Sequence, residues 1–555
     1  MCKFQVQHLQ KRSSRLPSPE RSIRLVPLPL SLPVRLRATP RLRRIGCATL
    51  FRSRNLERNL DCLSSTKQVT AMVRRLPPPA RVLVVGYGAS GITSVEQLQH
   101  QGFEVTCYEA RSQPGGVWNY EAAPEALELS FDSQGRPVMQ SLSERIKGRS
   151  SALSSAMYDC LHTNVPNPLM AYRGHPFPTK QELYPTRARI ASYLTDVAKA
   201  RESCVHYNTL VTRARHNPNC SGRRWVVDFR NLDNAQNGSD TFDFIVAASG
   251  HFNIPYVPYY DGLWLWKCGV SHARSYRSPK AFQAKNVLVV GAKASGYDIT
   301  RDIAEHLYET EGKIRKVYQS VREPANMFSK VEGPAATIVH QVTAIDRFTE
   351  DTIVLKDGTV LEDVDHVLFT TGYLFSYPYF NEADEPFKSY PLYQTPNAVT
   401  PTPARQQLHG DTTSPPPGGL AMHNLDALNI FYYPDPTLAF PALQYQVVPM
   451  QLAQTQARYI AHKWVKGGLN LVPGPDALAE SGWAEDEEVR RVNISLTDEE
   501  QFDYEDALMK EIGEGGLSTV GNGDLHEDGS FADNPKWRRH LRLTGNVLKR
   551  ATLGY

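Results

Sequence analysis

VLVVGYGASG, at Val82–Gly91, is the stretch that decides the fold, and a second version of it, VLVVGAKASG, stands at Val287–Gly296. Around the first copy, RVLVVG is a β-branched apolar run bounded by proline before and glycine after, the pattern of a buried parallel strand. Ile92, Val95 and Leu98 then recur at helical spacing until Gly102 stops the run, and Phe103–Glu109 reads as a second strand that ends on a carboxylate. Strand, G-x-G-x-x-G, helix, strand and terminal acid together make a dinucleotide-binding βαβ unit in its required context. Gly86 would form the tight turn and Gly88 would let the backbone approach a pyrophosphate. Ala89 and Ser90 open the helix whose N-terminus faces that anion, and Gly91 would let helix and strand pack closely. Glu109 is placed to accept hydrogen bonds from an adenosine ribose.

The second copy repeats the design with a difference. Gly291, Ala294, Ser295 and Gly296 keep the cradle, but Lys293 replaces the middle glycine. The strand that follows, Lys316–Glu323, carries Ser320 and Arg322 where an NAD site usually shows an acid. A guanidinium pairs in bidentate fashion with phosphate oxygens, so Arg322 suits a 2′-phosphate and favours NADPH over NADH. Glu323 beside it leaves open that Arg322 is an ordinary surface charge. Two different dinucleotides on one chain suggest a flavin fed by a nicotinamide: FAD in the first cradle, NADPH in the second.

Composition narrows the class. At 555 residues the chain exceeds what one core usually supports, so two packed units with appendages are expected. No uninterrupted apolar run is long enough to span a membrane. The eight cysteines are scattered without a CxxC pair or a Cys/His cluster, which argues against structural zinc and against a disulfide framework. The net charge of +4 hides an asymmetry: residues 1–71 hold 15 Lys/Arg against 3 Asp/Glu, so the remainder is mildly acidic and the total gives no sign of a nucleic-acid partner. Residues 1–78 form a basic leader rich in Arg, Ser, Leu and Pro. It has the composition of an organellar transit peptide, or it is an extension ahead of Met72 that the working protein lacks. Without import, a cytoplasmic location is the default.

Further boxes bring a family into view. Gly115-Gly116-Val117-Trp118-Asn119-Tyr120, HTNVPNPLMAYRGHPFP (His162–Pro178), ASGHFNIPYVP (Ala248–Pro258), WKCGVSHARSY (Trp266–Tyr276), TTGYLFSYP (Thr370–Pro378) and PTLAFPALQYQVVPMQLAQTQARYIAHKWVKG (Pro436–Gly467) follow in order. They resemble the GGxW, TNxP, ATGHF, FxGxxxHxxxY and ATGY boxes and the last FAD-proximal segment of the flavin-containing monooxygenases. The chain departs from that pattern at Trp266, which stands for the first Phe of the signature, and at Lys293. Ending the signature on Tyr276 rather than Trp favours the amine- and sulfur-oxidising branch over the Baeyer-Villiger branch.

The resemblance implies an α/β fold with two Rossmann-like domains: an FAD domain from residues 79–250 and 365–555, and an inserted NADPH domain over 251–364. It implies that NADPH reduces FAD, that the reduced flavin captures O2 as a C4a-hydroperoxide, and that a small-molecule substrate with a nucleophilic nitrogen or sulfur takes one oxygen atom. The cofactor then carries the chemistry, which agrees with the want of a side-chain nucleophile constellation. Gly116, Val117, Trp118 and Thr163 are implied as cofactor contacts, and Asn164 as the catalytic amide beside the flavin's oxygen adduct and the retained nicotinamide. His272 is expected at the hinge between the halves. The Pro-rich stretch Gln394–Gly419 is expected as a surface loop, and Trp483–Gly516, which is acidic and has TDEE (Thr497–Glu500) as a helix start, as a solvated helical appendage. A Baeyer-Villiger oxygenase and a non-catalytic dinucleotide sensor are the alternatives. A disulfide reductase would need a cysteine pair near the first helix, and the sequence has none there.

Overall fold

The computed structural model describes residues 70–71, 79–124, 129–132, 135–138, 155–218, 223–322, 331–393, 418–467, 469–475, 477, 494–520 and 523–553, all within one compact unit, Asn59–Tyr555. The leader apart from Thr70 and Ala71, most of the Pro-rich stretch, the first part of the acidic stretch (483–493) and Glu323 lie outside these residues.

Strand β1 (Arg81–Val85), helix α1 (Ala89–His100) and strand β2 (Glu104–Tyr108) form the first βαβ half. Gly102, at φ +82°, ends the helix, and the Phe103 N–H donates back to Leu98 O at 3.2 Å. Helix α2 (Arg187–Ala198) and strand β3 (Val205–His206) precede an antiparallel meander of β4 (Thr209–His216), β5 (Trp225–Asn231) and β6 (Asn237–Phe242). Strand β7 (Phe244–Ala247) then returns to the sheet. The first sheet is parallel throughout, in the order Leu438–Ala439, β7, β1, β2, β3.

The second half repeats this with β8 (Gly269–His272), β9 (Val287–Val290), α3 (Ala294–Glu311), β10 (Val317–Ser320), β11 (Val339–Val342) and β12 (His366–Phe369). Its sheet is also parallel, ordered β8, β12, β9, β10, β11. Because strand residues alternate sides, Val82 and Val84 enter one core cluster and Leu83 and Val85 another. Val287 and Val289 divide from Leu288 and Val290 in the same way. Burial on both faces, at about 1.5–3 kcal/mol per side chain, is why both strands read as unbroken apolar runs. Trp266 fits as the signature's first aromatic, packing edge-to-face on Phe348 with ring centroids 5.6 Å apart.

Sheet membership corrects one expected boundary. The return to the first half was placed at residue 365, yet β12 lies between β8 and β9 in the second sheet. The chain crosses back only after Phe369, where Tyr373–Leu374 pairs antiparallel with the outgoing Ile254–Pro255. An apolar run marks a strand without saying which sheet receives it.

Helices α4 (Pro449–Lys466), α5 (Glu500–Ile512) and α6 (Lys536–Leu553) complete the fold, with α4 lying against α1. The expected helix start holds: the Glu500 carboxylate accepts the Thr497 N–H at 2.8 Å. The expected solvated appendage is corrected, because α5 buries Gln501, Phe502, Glu505, Leu508 and Met509 against α4. Glu505 is tolerated there because the Gln501 amide donates to it at 2.6 Å and the Arg173 guanidinium lies 3.5 Å away. No helix among the described residues is long and apolar enough to cross a membrane.

Candidate active site

In the first cradle Gly86 adopts φ +96°, and its N–H donates to Tyr108 O at 2.8 Å. A Cβ on Gly91 would stand 1.9 Å from Gly86 O, so no side chain fits between turn and helix. Gly88 has an ordinary φ of −79°, but a Cβ there would lie 3.3 Å from Gly116 Cα. The turn Gly116–Trp118 therefore packs on the fingerprint itself, bringing Gly116, Val117 and Trp118 to the cradle. Helix α1 starts with no side-chain cap and no acid in its first turn. The N-terminal amides at Ala89 and Ser90 and the positive end of the helix dipole are thus left for an anion, and a pyrophosphate fits this site.

Glu109 is buried, 5 % exposed, and accepts N–H groups from Tyr87 at 2.5 Å and Arg111 at 2.8 Å. Burial pushes its carboxyl above the ordinary range against the pull of those two donors. Acceptor capacity remains on the carboxylate for a ribose hydroxyl.

The second cradle is built alike. Gly291, at φ +123°, donates its N–H to Ser320 O at 3.1 Å, and a Cβ on Gly296 would stand 2.4 Å from Gly291 O. Lys293, Ala294 and Ser295 are exposed at the start of α3, which again has no side-chain cap and no acid in its first turn. Ser320 is buried and donates to Thr343 O at 3.0 Å, while Arg322 is exposed just past the end of β10. An Arg at that strand end, above an uncapped helix N-terminus, is a suitable donor set for a phosphorylated ribose.

The TNxP-like segment is fastened to the first cradle. The Tyr172 hydroxyl donates to Ala89 O at 2.6 Å, and the Asn167 amide donates to Glu182 O at 2.5 Å. Thr163 is buried and spends its hydroxyl on Val165 O at 2.9 Å, which braces the turn. Asn164, next to it, is exposed, and its Oδ1 accepts from Lys549 Nζ at 2.5 Å.

His272 ends β8 fully buried, with Nδ1 accepting the Arg274 N–H at 3.1 Å and its ring edge-on to Tyr373 at 5.3 Å. It therefore lies at the crossover, where burial drives its pKa down to about 3 and keeps the imidazole neutral. Tyr276 is buried and hydrogen-bonds Asp302. Neither offers a proton at neutral pH. Among the described residues no group of His, Cys, Asp and Glu side chains is arranged to hold a metal ion.

Against this geometry, the flavin-binding monooxygenase-like family matches residues 144–332 and 332–390, and an NAD(P)-binding Rossmann-like domain matches residues 84–141. By these matches the chain is similar to the flavin-containing monooxygenases, as its motifs led us to expect, and is an enzyme. It is 27% identical to a thiol-specific monooxygenase of Saccharomyces cerevisiae over 398 residues, 70% of this chain and 77% of the other. It is 30% identical to flavin-containing monooxygenase FMO GS-OX5 of Arabidopsis thaliana over 312 residues, 54% of this chain and 61% of that one. In fold it matches the S-allyl-L-cysteine S-oxygenase of Allium sativum with a TM-score of 0.60 at 22% identity, covering 85% of this chain and 93% of that one.

Three residues around Asn164 were not anticipated. Lys549 comes from α6, Asp298 from α3 just beyond its first turn, and Tyr158 from the loop before the TNxP-like segment. Asp298 accepts from the Tyr158 hydroxyl at 3.1 Å and lies 3.8 Å from Lys549 Nζ. None belongs to a motif quoted above, and Asp298, just past the second cradle on α3, reads in sequence as an ordinary polar helix residue.

Proposed function

We propose that the chain is an FAD- and NADPH-dependent monooxygenase that transfers one atom of O2 to a nucleophilic sulfur or nitrogen of a small molecule, with sulfur the first choice. The observation that carries this is the pair of like-built cradles, uncapped at both helix starts and different at their strand ends: Glu109 in one, Ser320 and Arg322 in the other. The preference for sulfur leans on the names of similar proteins, a thiol-specific monooxygenase and an S-oxygenase.

Flavin bound in the first cradle and reduced by nicotinamide from the second would supply the oxygen chemistry. The chain's own residues bind and orient. Gly86, Gly88, Ala89, Ser90 and Gly91 would hold the FAD pyrophosphate with Glu109 on its ribose, while Gly116, Val117 and Trp118 line the cradle's far side. Gly291, Ala294, Ser295 and Gly296 would hold the NADPH pyrophosphate, with Ser320 and Arg322 at the 2′-phosphate. Asn164 would offer a neutral amide to the reacting region, a donor that brings no charge to repel or protonate a bound oxygen species.

The test is a probe series of a thiol, a thioether, a tertiary amine and a cyclic ketone, with NADPH oxidation scored against H2O2 release under 18O2. A yellow protein that incorporates one labelled oxygen into the sulfur or nitrogen probes is expected. Colourless protein without NADPH-dependent O2 uptake defeats the proposal, and turnover of the ketone only would make it a Baeyer-Villiger enzyme.

A further inference from the structure

Helix α6 lies on the TNxP-like segment at Gly545. A Cβ at that glycine would stand 3.4 Å from Pro166 Cδ, and the Tyr184 hydroxyl donates to the Gly545 carbonyl. One helical turn further on, Lys549 turns inward, 7 % exposed, with Nζ 2.5 Å from Asn164 Oδ1 and 3.8 Å from Asp298 Oδ1. Asp298 sits two residues beyond Gly296 in the second cradle, so this one ammonium joins the amide segment to the nicotinamide-side helix.

An ammonium carries donors only, whereas a primary amide has one acceptor end and one donor end. Lys549 therefore decides which way Asn164 faces: the oxygen must meet Nζ, and the N–H2 end points elsewhere. Among the described residues no protein group accepts from that N–H2 end. A buried ammonium is also a poor means of securing a helix, since an apolar side chain of similar length would pack there without the cost of desolvating a charge.

We propose that Lys549 is a positioning residue for Asn164, which holds the amide in the orientation that presents its N–H2 group to the bound cofactors and ties that orientation to the second cradle through Asp298. This rests on the role given to Asn164 above.

Two measurements test it. In protein labelled with 15N-asparagine and free of added cofactor, the Asn164 side-chain amide signal, identified by its loss in Asn164→Ala, should shift in Lys549→Met and move back toward its original position in Lys549→Arg. An unmoved signal in Lys549→Met overturns the proposal. In turnover with the best probe, H2O2 released per NADPH should rise about tenfold in Lys549→Met, and adding that change to Asn164→Ala should raise it no further, as for two residues acting through one contact. Additive increases overturn the proposal, and so does full coupling in Lys549→Met when Asn164→Ala is uncoupled. Full coupling in Asn164→Ala would instead remove the role given to Asn164, and the positioning role with it, without touching the cofactor assignments.

Discussion

Gly88 and Lys293 hold the same place in their cradles and have nearly the same backbone, φ −79° and ψ −165° against φ −81° and ψ −174°. Neither conformation requires glycine. What separates them is the neighbour: Gly88 faces Gly116 Cα, 3.3 Å from where its Cβ would be, whereas Lys293 opens to solvent along with Ala294 and Ser295. The first cradle is covered by a second loop of the protein, whereas among the described residues none covers the start of the second. A covered site suits a resident FAD, and an open one suits a nicotinamide that must enter and leave on each cycle. In both, the turn glycine abuts the chain as it crosses to the other half: Gly86 meets Ala248 and Gly291 meets Thr370.

The hardest test of this division is at the third glycines. Gly91→Ala would push a methyl to 1.9 Å from Gly86 O, and Gly296→Ala to 2.4 Å from Gly291 O. Backbone has to move in either case, at a cost of roughly 1–3 kcal/mol or more. Gly91→Ala should purify without flavin, read from the ratio of absorbance at 450 to that at 280 nm, on the order of a tenfold loss or greater. Gly296→Ala should stay yellow and raise KM for NADPH by about tenfold. Loss of flavin from the second variant would break the assignment of the cradles.

Next in size is the strand-end contrast. Arg322→Ala should lower the NADPH-to-NADH ratio of kcat/KM by about 10–100-fold, the scale of a charge-assisted phosphate contact. An unchanged ratio would return Arg322 to the status of a surface charge.

How far the sequence foretold these contacts depends on their range. Gly86, Gly88, Gly91 and Glu109 are joined by a local βαβ pattern, so spacing was enough to place them. Thr163 and Asn164 came only through family resemblance, and they face opposite ways: the Thr is turned into the protein and the Asn out of it. Lys549 meets Asn164 across 385 residues, a contact for which periodicity carries no signal. The acidic face of α5 misled for a similar reason, because Arg173, which makes Glu505 tolerable inside, lies in a distant segment. Strand β12 was recognisable as a strand, but its sheet was not.

Glu109 supplies a pH test that the second cradle should fail. Its folded-state pKa is raised above the ordinary 4.5 by burial, so the stability it contributes is complete while the carboxyl is protonated and declines as pH rises from that value through the folded pKa. In flavin-free protein, the melting temperature of Glu109→Gln relative to wild type should climb as pH rises above the ordinary carboxylate range. Ser320→Ala, which removes no titrating group, should run parallel to wild type. Parallel curves for Glu109→Gln as well would mean that Glu109 titrates alike folded and unfolded.

The smallest effect expected is at the pair that opened the comparison. Lys293→Gly changes no backbone conformation that glycine is needed for, and it removes one exposed cation at an anion site. KM for NADPH should therefore rise by less than about threefold at moderate salt, where an exposed charge is largely screened. Gly88→Ala adds a single methyl at 3.3 Å from Gly116 Cα, close enough that the covering turn must give way, and flavin affinity should fall several-fold more than nicotinamide affinity does in Lys293→Gly. Equal, small losses in the two variants would show that the Gly116–Trp118 turn yields easily, and the covered cradle would then be no more selective for a resident cofactor than the open one.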